Sequence, residues 1–356
     1  MSKNVHKPVI GITAGDINGV GPEILLKTFA DNRLLNLFTP VIFADRNMIN
    51  FYLKHYDIKN FSYNTIRFIN QLAFHKINIC SNWNDEPQIT IGISTEEGGK
   101  YAIKSLMAGV AAIKEKKIDA LVTLPINKKN VQSAEFNFPG HTEFLAETFE
   151  SKSFLMLMVS ENLRIALVTG HIPLNKVSSE VTSEKIIDKL IIFNKSLESD
   201  FNISKPKIAV LGLNPHAGDE GLLGEEDMTI LKPALEKANE MGILALGPYP
   251  ADGFFGSQMH FKFDGILAMY HDQGLIPFKT LAFDKGVNFT AGLPYIRTSP
   301  VHGTGYHIAG KNLADENSFR EAIYLAINII NNRNYYQELH ADPLKSRMVR
   351  EKEAES

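Results

Sequence analysis

Short apolar, β-branched runs alternate along the chain with longer stretches in which apolar positions recur every three or four residues. Runs of the first kind stand at 9–13, 41–44, 120–124, 164–169, 207–213 and 265–269. Amphipathic spacing predicts helices over 21–28, 183–197 and 319–330, with Pro22 at a first-turn position where a missing N–H costs nothing. Strands buried on both faces and joined by crossover helices define an α/β protein, and parallel strands are expected. After residue 330 the sequence turns polar and charged, and 331–356 reads as a terminus ending in a mobile tail. No repeat or low-complexity linker divides the chain. The Pro-, Asn- and Gly-containing stretch 125–140 is the natural crossing point between two α/β units.

Composition narrows the class. With 356 residues, 44% of them hydrophobic and 22% charged, the chain buries a sizeable core, which excludes disordered and fibrous proteins. A net charge of −3 without a basic stripe argues against nucleic acid as a partner. No apolar run approaches the roughly 20 residues that span a bilayer, so no membrane partner is expected. Cys80 is the only cysteine, which permits neither a disulfide framework nor a CxxC metal site. A reducing, cytoplasmic setting is expected.

The most informative feature is where the histidines fall. Three apolar runs lead into one each: 164–169 into His171, 207–213 into His216, and 265–269 into His271. Ligands of open parallel sheets bind beyond the carboxyl ends of the strands, so the three imidazoles can meet there. Three neutral imidazoles suit a catalytic divalent ion, because they leave a coordination position for water or substrate. Asp219 and Glu220 follow His216, and Asp272 follows His271; such acids can orient ligand rings or move protons. Separate polar loop residues are the plainer alternative for each.

Two further regions carry candidate chemistry. The loop Gly15-Asp-Ile-Asn-Gly-Val-Gly21 between a strand and a helix can present backbone N–H groups to an anion, although it is neither GxGxxG nor a P-loop. Lys279, Asn288 and Arg297 place an ammonium, an amide and a guanidinium in one short region, the mixture that phosphate or carboxylate recognition uses. In Gly140-His141-Thr142-Glu143, Thr142 can cap a helix while His141 faces a pocket.

Taken in order, Gly-Ile-Thr-Ala-Gly-Asp at 11–16, Pro-Gly-His-Thr-Glu-Phe at 139–144, Leu-Asn-Pro-His-Ala-Gly-Asp-Glu-Gly at 213–221, Gly-Pro-Tyr-Pro-Ala-Asp at 247–252, Tyr-His-Asp-Gln-Gly at 270–274 and Gly-Leu-Pro-Tyr-Ile-Arg-Thr-Ser at 292–299 resemble one family. The chain resembles the 4-hydroxythreonine-4-phosphate dehydrogenases of vitamin B6 biosynthesis over nearly its whole length. The resemblance implies a two-domain fold similar to isocitrate and isopropylmalate dehydrogenases, two α/β/α units with a cleft between them. One unit, on the NAD side, would take residues 1–130 and 306–356; the other, on the metal and dimer side, would take 131–305.

It also implies His171, His216 and His271 as ligands of one divalent ion (zinc, magnesium, manganese or cobalt) near the interface of a homodimer that draws on both subunits. His141, Thr142, Lys279, Asn288 and Arg297 would contact substrate, and Asp252 and Asp272 are candidates for proton transfer. The stretch from His302 to Asn312 is similar to the adenine-side loop of the decarboxylating dehydrogenases, so His302, Gly303, Thr304, Gly310 and Asn312 are candidate NAD contacts. Gly305 and the Pro300-Val301 pair depart from the usual pattern there.

The implied reaction is NAD-dependent oxidation of 4-phosphooxy-L-threonine to 2-amino-3-oxo-4-phosphooxybutanoate, which decarboxylates to 3-amino-2-oxopropyl phosphate. A paralogous dehydrogenase of phosphorylated D-threonate or D-erythronate shares these motifs. Three histidines alone would equally serve a metal-dependent lyase without redox chemistry, or a protein that only binds metal or a phosphorylated metabolite.

Overall fold

The structure, a computed structural model, describes residues 7–342 except 82, 84, 85, 134, 135 and 152. Its strands in chain order are β1 (Val9–Thr13), β2 (Thr39–Phe43), β3 (Tyr63–Ile66), β4 (Ile77–Cys80), β5 (Ala120–Thr123), β6 (Leu155–Ser160), β7 (Leu163–Leu167), β8 (Lys207–Leu211), β9 (Leu244–Tyr249), β10 (Gly265–Ala268), β11 (Val287–Ala291) and β12 (Ile296–Pro300). The helices are α1 (Gly21–Phe29), α2 (Arg46–His55), α3 (Glu96–Lys114), α4 (His141–Thr148), α5 (Val177–Glu180), α6 (Ser183–Ser199), α7 (Lys232–Glu240), α8 (Ala251–Gly256), α9 (His271–Ala282) and α10 (Asn317–His340). The α/β expectation holds, and every strand expected from the apolar runs forms within about two residues of its expected bounds. None of the described helices is long and apolar enough to cross a membrane.

All the strands join one sheet, in the order β3-β4-β2-β1-β5-β12-β11-β6-β7-β10-β8-β9. The wholly parallel expectation fails in the middle. From β3 to β12 the pairings are parallel, as they are from β7 to β9. Between these groups β12/β11, β11/β6 and β6/β7 are antiparallel. Three reversals make the two parallel groups run in opposite directions, so their carboxyl ends lie at opposite edges of the sheet.

Six strands went unforeseen: β3, β4, β6, β9, β11 and β12. The central pair β11 and β12 carries Asn288, Thr290, Arg297, Thr298 and Ser299, polar residues that break up an apolar run. β3 and β9 are the edge strands, where one-sided burial weakens the pattern.

Helices close both faces of the sheet. In α10, Phe319, Ala322, Ile323, Ala326 and Ile329 recur at helical spacing and are buried against β12, β5 and β11. In α6, Ile186, Leu190, Phe193 and Leu197 form the matching stripe. The helix expected to end at residue 330 continues to His340, because its polar residues find partners. Asn332 Nδ2 donates to the Asp200 carbonyl (2.7 Å), and Arg333 Nε donates to the buried Asp200 carboxylate (2.6 Å). The tail expected at the chain's end lies, beyond residue 342, outside the described residues.

Close packing of α3 fixes the segment after β5. A Cβ on Gly99 would overlap the backbone carbonyl of Asn130, which cannot swing away as a flexible side chain would. Gly99→Ala is expected to cost about 1–3 kcal/mol in urea denaturation and to lower turnover by displacing the 125–130 segment. Wild-type stability in that variant would show that the approach is not tight.

Candidate functional site

β7, β10 and β8 are parallel neighbours, so the residues that follow them leave the sheet at one edge. His171 follows β7 and His271 opens α9 directly after β10; their ring centroids lie 5.2 Å apart. Nδ1 of His271 stands 2.7 Å from Oδ1 of Asp272. A carboxylate can only accept, so this contact puts a proton on Nδ1 and leaves Nε2 as the ring nitrogen that Asp272 does not engage. Around His171, desolvation and then the charges of Lys128 and His271 hold the imidazole below its ordinary range, against the pull of Glu143.

His216 does not join them within one chain. After β8 the backbone enters a run of left-handed residues, with positive φ at His216, Ala217, Gly218, Asp219 and Glu220. The base of this run is tied down by buried Asp227, whose carboxylate accepts from the backbone of Leu213 (2.8 Å) and Asn214 (3.0 Å). His216, Asp219 and Glu220 are left exposed. Among the described residues no three His, Cys, Asp or Glu side chains come close enough to hold one metal ion.

A cavity of about 560 Å³ spans the central strands, reaching from the segment after β5 to the histidine pair. Strand alternation aims Arg297 and Ser299 of β12 into it, together with Met156 and Met158 of β6. Arg297 is only 4% exposed. Thr123 Oγ1 accepts from its Nε (3.0 Å) and Nη2 (2.7 Å), while Nη1 has no partner. Burial lowers its pKa to about 10, opposed only by Glu143.

Three more buried atoms along this cavity lack partners: His141 Nε2, Asn288 Oδ1 and His302 Nε2. Burial, and then the charges of Arg297 and Lys128, hold His141 well below the ordinary histidine range, so the ring is neutral. Lys128, Lys189, Lys279 and Arg297 face a single carboxylate, Glu143. Such a cavity takes an anion. A larger hollow of about 880 Å³ opens at the other end of β7 and β10 around Arg164 and Phe201, but none of the residues expected to act lines it.

The glycine loop and the 302–312 stretch meet. The Val20 N–H donates to the Thr304 carbonyl (2.9 Å), and a Cβ on Gly19 would lie 2.6 Å from that oxygen. His302 and Gly303 line the cavity. The Gly310 carbonyl is 3.0 Å from His55 Nε2, and the Asn312 carbonyl accepts from Lys27 (3.1 Å). These two therefore sit against α2 and α1, away from the cavity.

Comparison with known proteins decides the family. A sequence model described as pyridoxal phosphate biosynthetic protein PdxA matches residues 36–326. The chain belongs to the PdxA family. A 4-hydroxythreonine-4-phosphate dehydrogenase of Bacteroides thetaiotaomicron is 47% identical, covering 96% of this chain and 93% of its own. A relative from Oceanobacillus iheyensis, 38% identical over 91% of this chain and 98% of its own, is provisionally named a D-threonate 4-phosphate dehydrogenase. The crystal structure of the Klebsiella pneumoniae 4-hydroxythreonine-4-phosphate dehydrogenase superposes with a TM-score of 0.81 at 32% identity, covering 92% of this chain and 99% of that one.

In this PdxA-family chain the cavity brings together His141, Thr142, His171, His271, Lys279, Asn288, Arg297, His302 and Gly303 from the sequence-based set. His216, Asp252, Thr304, Gly310 and Asn312 lie off it, and Asp272 reaches it only through His271. Asp252 is exposed in the first turn of α8. Thr142 does not cap a helix: α4 begins at His141 with Gly140 as its cap, so Thr142 stands within the first turn.

Sequence reasoning passed over Thr123, Lys128, Glu143 and Lys189. One signal was available, since Lys189 interrupts the apolar stripe of α6 between Ile186 and Phe193.

Burial holds His141, His260 and His302 below the ordinary value of 6.5. The unfolded chain therefore binds protons that the folded one refuses as pH falls from about 7 to 5, and stability, complete above that window, declines within it. Calorimetry is expected to show a lower thermal midpoint at the acidic end. A midpoint that rose or stayed level would contradict the neutral histidines.

Proposed function

We propose that this chain is an NAD- and divalent-metal-dependent dehydrogenase that oxidises the C3 hydroxyl of 4-phosphooxy-L-threonine. The product, 2-amino-3-oxo-4-phosphooxybutanoate, then loses CO2 to give 3-amino-2-oxopropyl phosphate. The observation that carries this reading is the cavity itself, where a buried, half-satisfied guanidinium and three lysines face one carboxylate beside a histidine pair. The names of the relatives agree with it.

The donor set suits a divalent ion. His171 is held neutral, and Asp272 holds the Nδ1 side of the His271 ring, so that Nε2 is the nitrogen left for a ligand. We assign the third position to His216 of a second copy, since that side chain is exposed and absent from its own chain's cavity. When bound, the ion supplies Lewis acidity at the C3 hydroxyl, and NAD supplies the hydride acceptor.

The chain's own residues do the rest. Arg297, Lys279 and Asn288 hold the anionic substrate so that C3 keeps one position. Neutral His141, with Nε2 unpartnered, and Thr142 beside it contact the substrate from α4. Asp272 orients His271; Asp252, exposed in this chain, would act only if a second copy brings it to the site. His302 and Gly303 offer the NAD contacts nearest the cavity, while Thr304 joins the two loops that would frame the cofactor. We keep the division into an NAD-side unit (1–130 with 306–356) and a metal-side unit (131–305) as part of this proposal; by those bounds His302, Gly303 and Thr304 stand on the metal side, next to the border with the NAD side. The buried free thiol of Cys80 supports a cytoplasmic setting.

The test follows NADH absorbance with chelator-stripped protein, NAD and 4-phosphooxy-L-threonine, adding back zinc, magnesium, manganese or cobalt. Metal-restored turnover is expected. The Oceanobacillus relative makes phosphorylated D-threonate the second substrate to run; turnover on that acid alone would keep the chemistry and change the pathway. His171→Ala and His216→Ala are each expected to be inactive. Mixed and re-equilibrated, they should regain about a quarter of wild-type activity, because half the dimers then carry one intact site. No recovery on mixing would place all three ligands in one chain.

A further inference from the structure

Lys128 is a cavity cation that none of the family motifs covers. It stands between β5 and α4 on a segment fastened from below by Asp16, a carboxylate only 1% exposed. The Asp16 N–H donates to the Pro125 carbonyl (2.9 Å), and the Asn130 amide donates to the Asp16 carboxylate (2.8 Å) and to the Thr95 carbonyl (2.9 Å). The Tyr306 hydroxyl donates to the same carboxylate (2.6 Å). The base of Lys128 is therefore fixed.

Its far end is free. The only Lys128 atom engaged is its backbone carbonyl, which accepts from Gln132; the ammonium meets no partner among the described residues. The bare Gly140 makes room for the stem: Lys128 Cε lies 3.6 Å, and Glu143 Oε2 3.4 Å, from where a Cβ on Gly140 would stand. The ammonium thus runs past the start of α4, and its charge is felt by both His141 and His171. Lys189, by contrast, is engaged with the Phe154 carbonyl (2.5 Å) and ring, and Arg297 is sealed between β12 and β5.

We propose that Lys128 contacts the substrate, its ammonium pairing with the C1 carboxylate of the phosphorylated hydroxy acid while the phosphate goes to Arg297. This rests on the substrate class proposed above. In that acid the carboxylate carbon is two bonds from C3 and the phosphorus three, so the carboxylate lies nearer the histidine pair that takes the C3 oxygen. A planar fork buried out of water suits a doubly charged phosphate, whereas a single ammonium suits a single carboxylate. Lys128 is also exposed, so the CO2 formed from that carboxylate leaves on the solvent side.

The experiment compares the wild-type holoenzyme with Lys128→Met and Lys128→Arg. Lys128→Met is expected to raise KM for 4-phosphooxy-L-threonine about 10- to 100-fold, the loss of one charge-assisted contact, with an unchanged thermal midpoint. Lys128→Arg should recover most of it. Inhibition by 3-amino-2-oxopropyl phosphate, which keeps the phosphate but lacks the carboxylate, should be the same in all three. Inhibition that weakened in parallel with KM would move Lys128 to the phosphate and overturn the assignment, as would a KM indistinguishable from wild type. Wild-type turnover of phosphorylated D-threonate alone would instead refute the substrate reading; that acid also has a C1 carboxylate, so the comparison is then made on it with the same expected outcome.

Discussion

A guanidinium sealed at the centre of the sheet is the constraint on which the site depends. Removing an unpaired charge from water costs on the order of several kcal/mol even after relaxation, and Thr123 supplies only a neutral acceptor. The fold keeps Arg297 in this condition instead of pairing it. The consequences spread to its neighbours. His141 is held neutral beside it, Glu143 is the one nearby acid, and the remaining cations stand further out along the cavity. An incoming anion completes an electrostatic arrangement that the protein leaves open.

Such a residue can sit on a central strand only because the sheet changes direction there. In a uniformly parallel sheet the strand middles are covered by crossover helices and loops converge at one edge. Here the antiparallel strands β11 and β6 separate two parallel groups whose carboxyl ends point opposite ways. The cavity lies across the strands that make the reversal, and it collects the 125–130 segment from one group and the histidine pair from the other. Asn288 and Arg297 are consequently strand residues, held by backbone ladders and not by mobile loops.

The His216 segment follows a different logic. Its successive left-handed residues carry the chain outward, while Asp227 secures their base. The side chain is thereby offered away from its own sheet. The fixed, exposed imidazole of His216, absent from its own chain's cavity, is what the proposed site shared between two copies requires.

Much of this was legible in the sequence. The α/β class, the starts of α1 and α6 and the sequel of a histidine to each of three parallel strands follow from periodicity, because strands buried on both faces must be apolar and their ends must not. Recognition of Lys279, Asn288 and Arg297 as a polar group came from local crowding of the right residue types. Local pattern could not reveal that β11 and β12 are strands, since the side chains that serve the cavity are the ones that interrupt their apolar alternation. Nor could it reveal the convergence of Thr123, Lys128, Glu143 and Lys189, which lie far apart in the chain. The residues by themselves determined the α/β class and the chemical repertoire. Which of them face each other was decided by strand order and direction, because those are set by long-range pairing and packing that no short window of sequence contains.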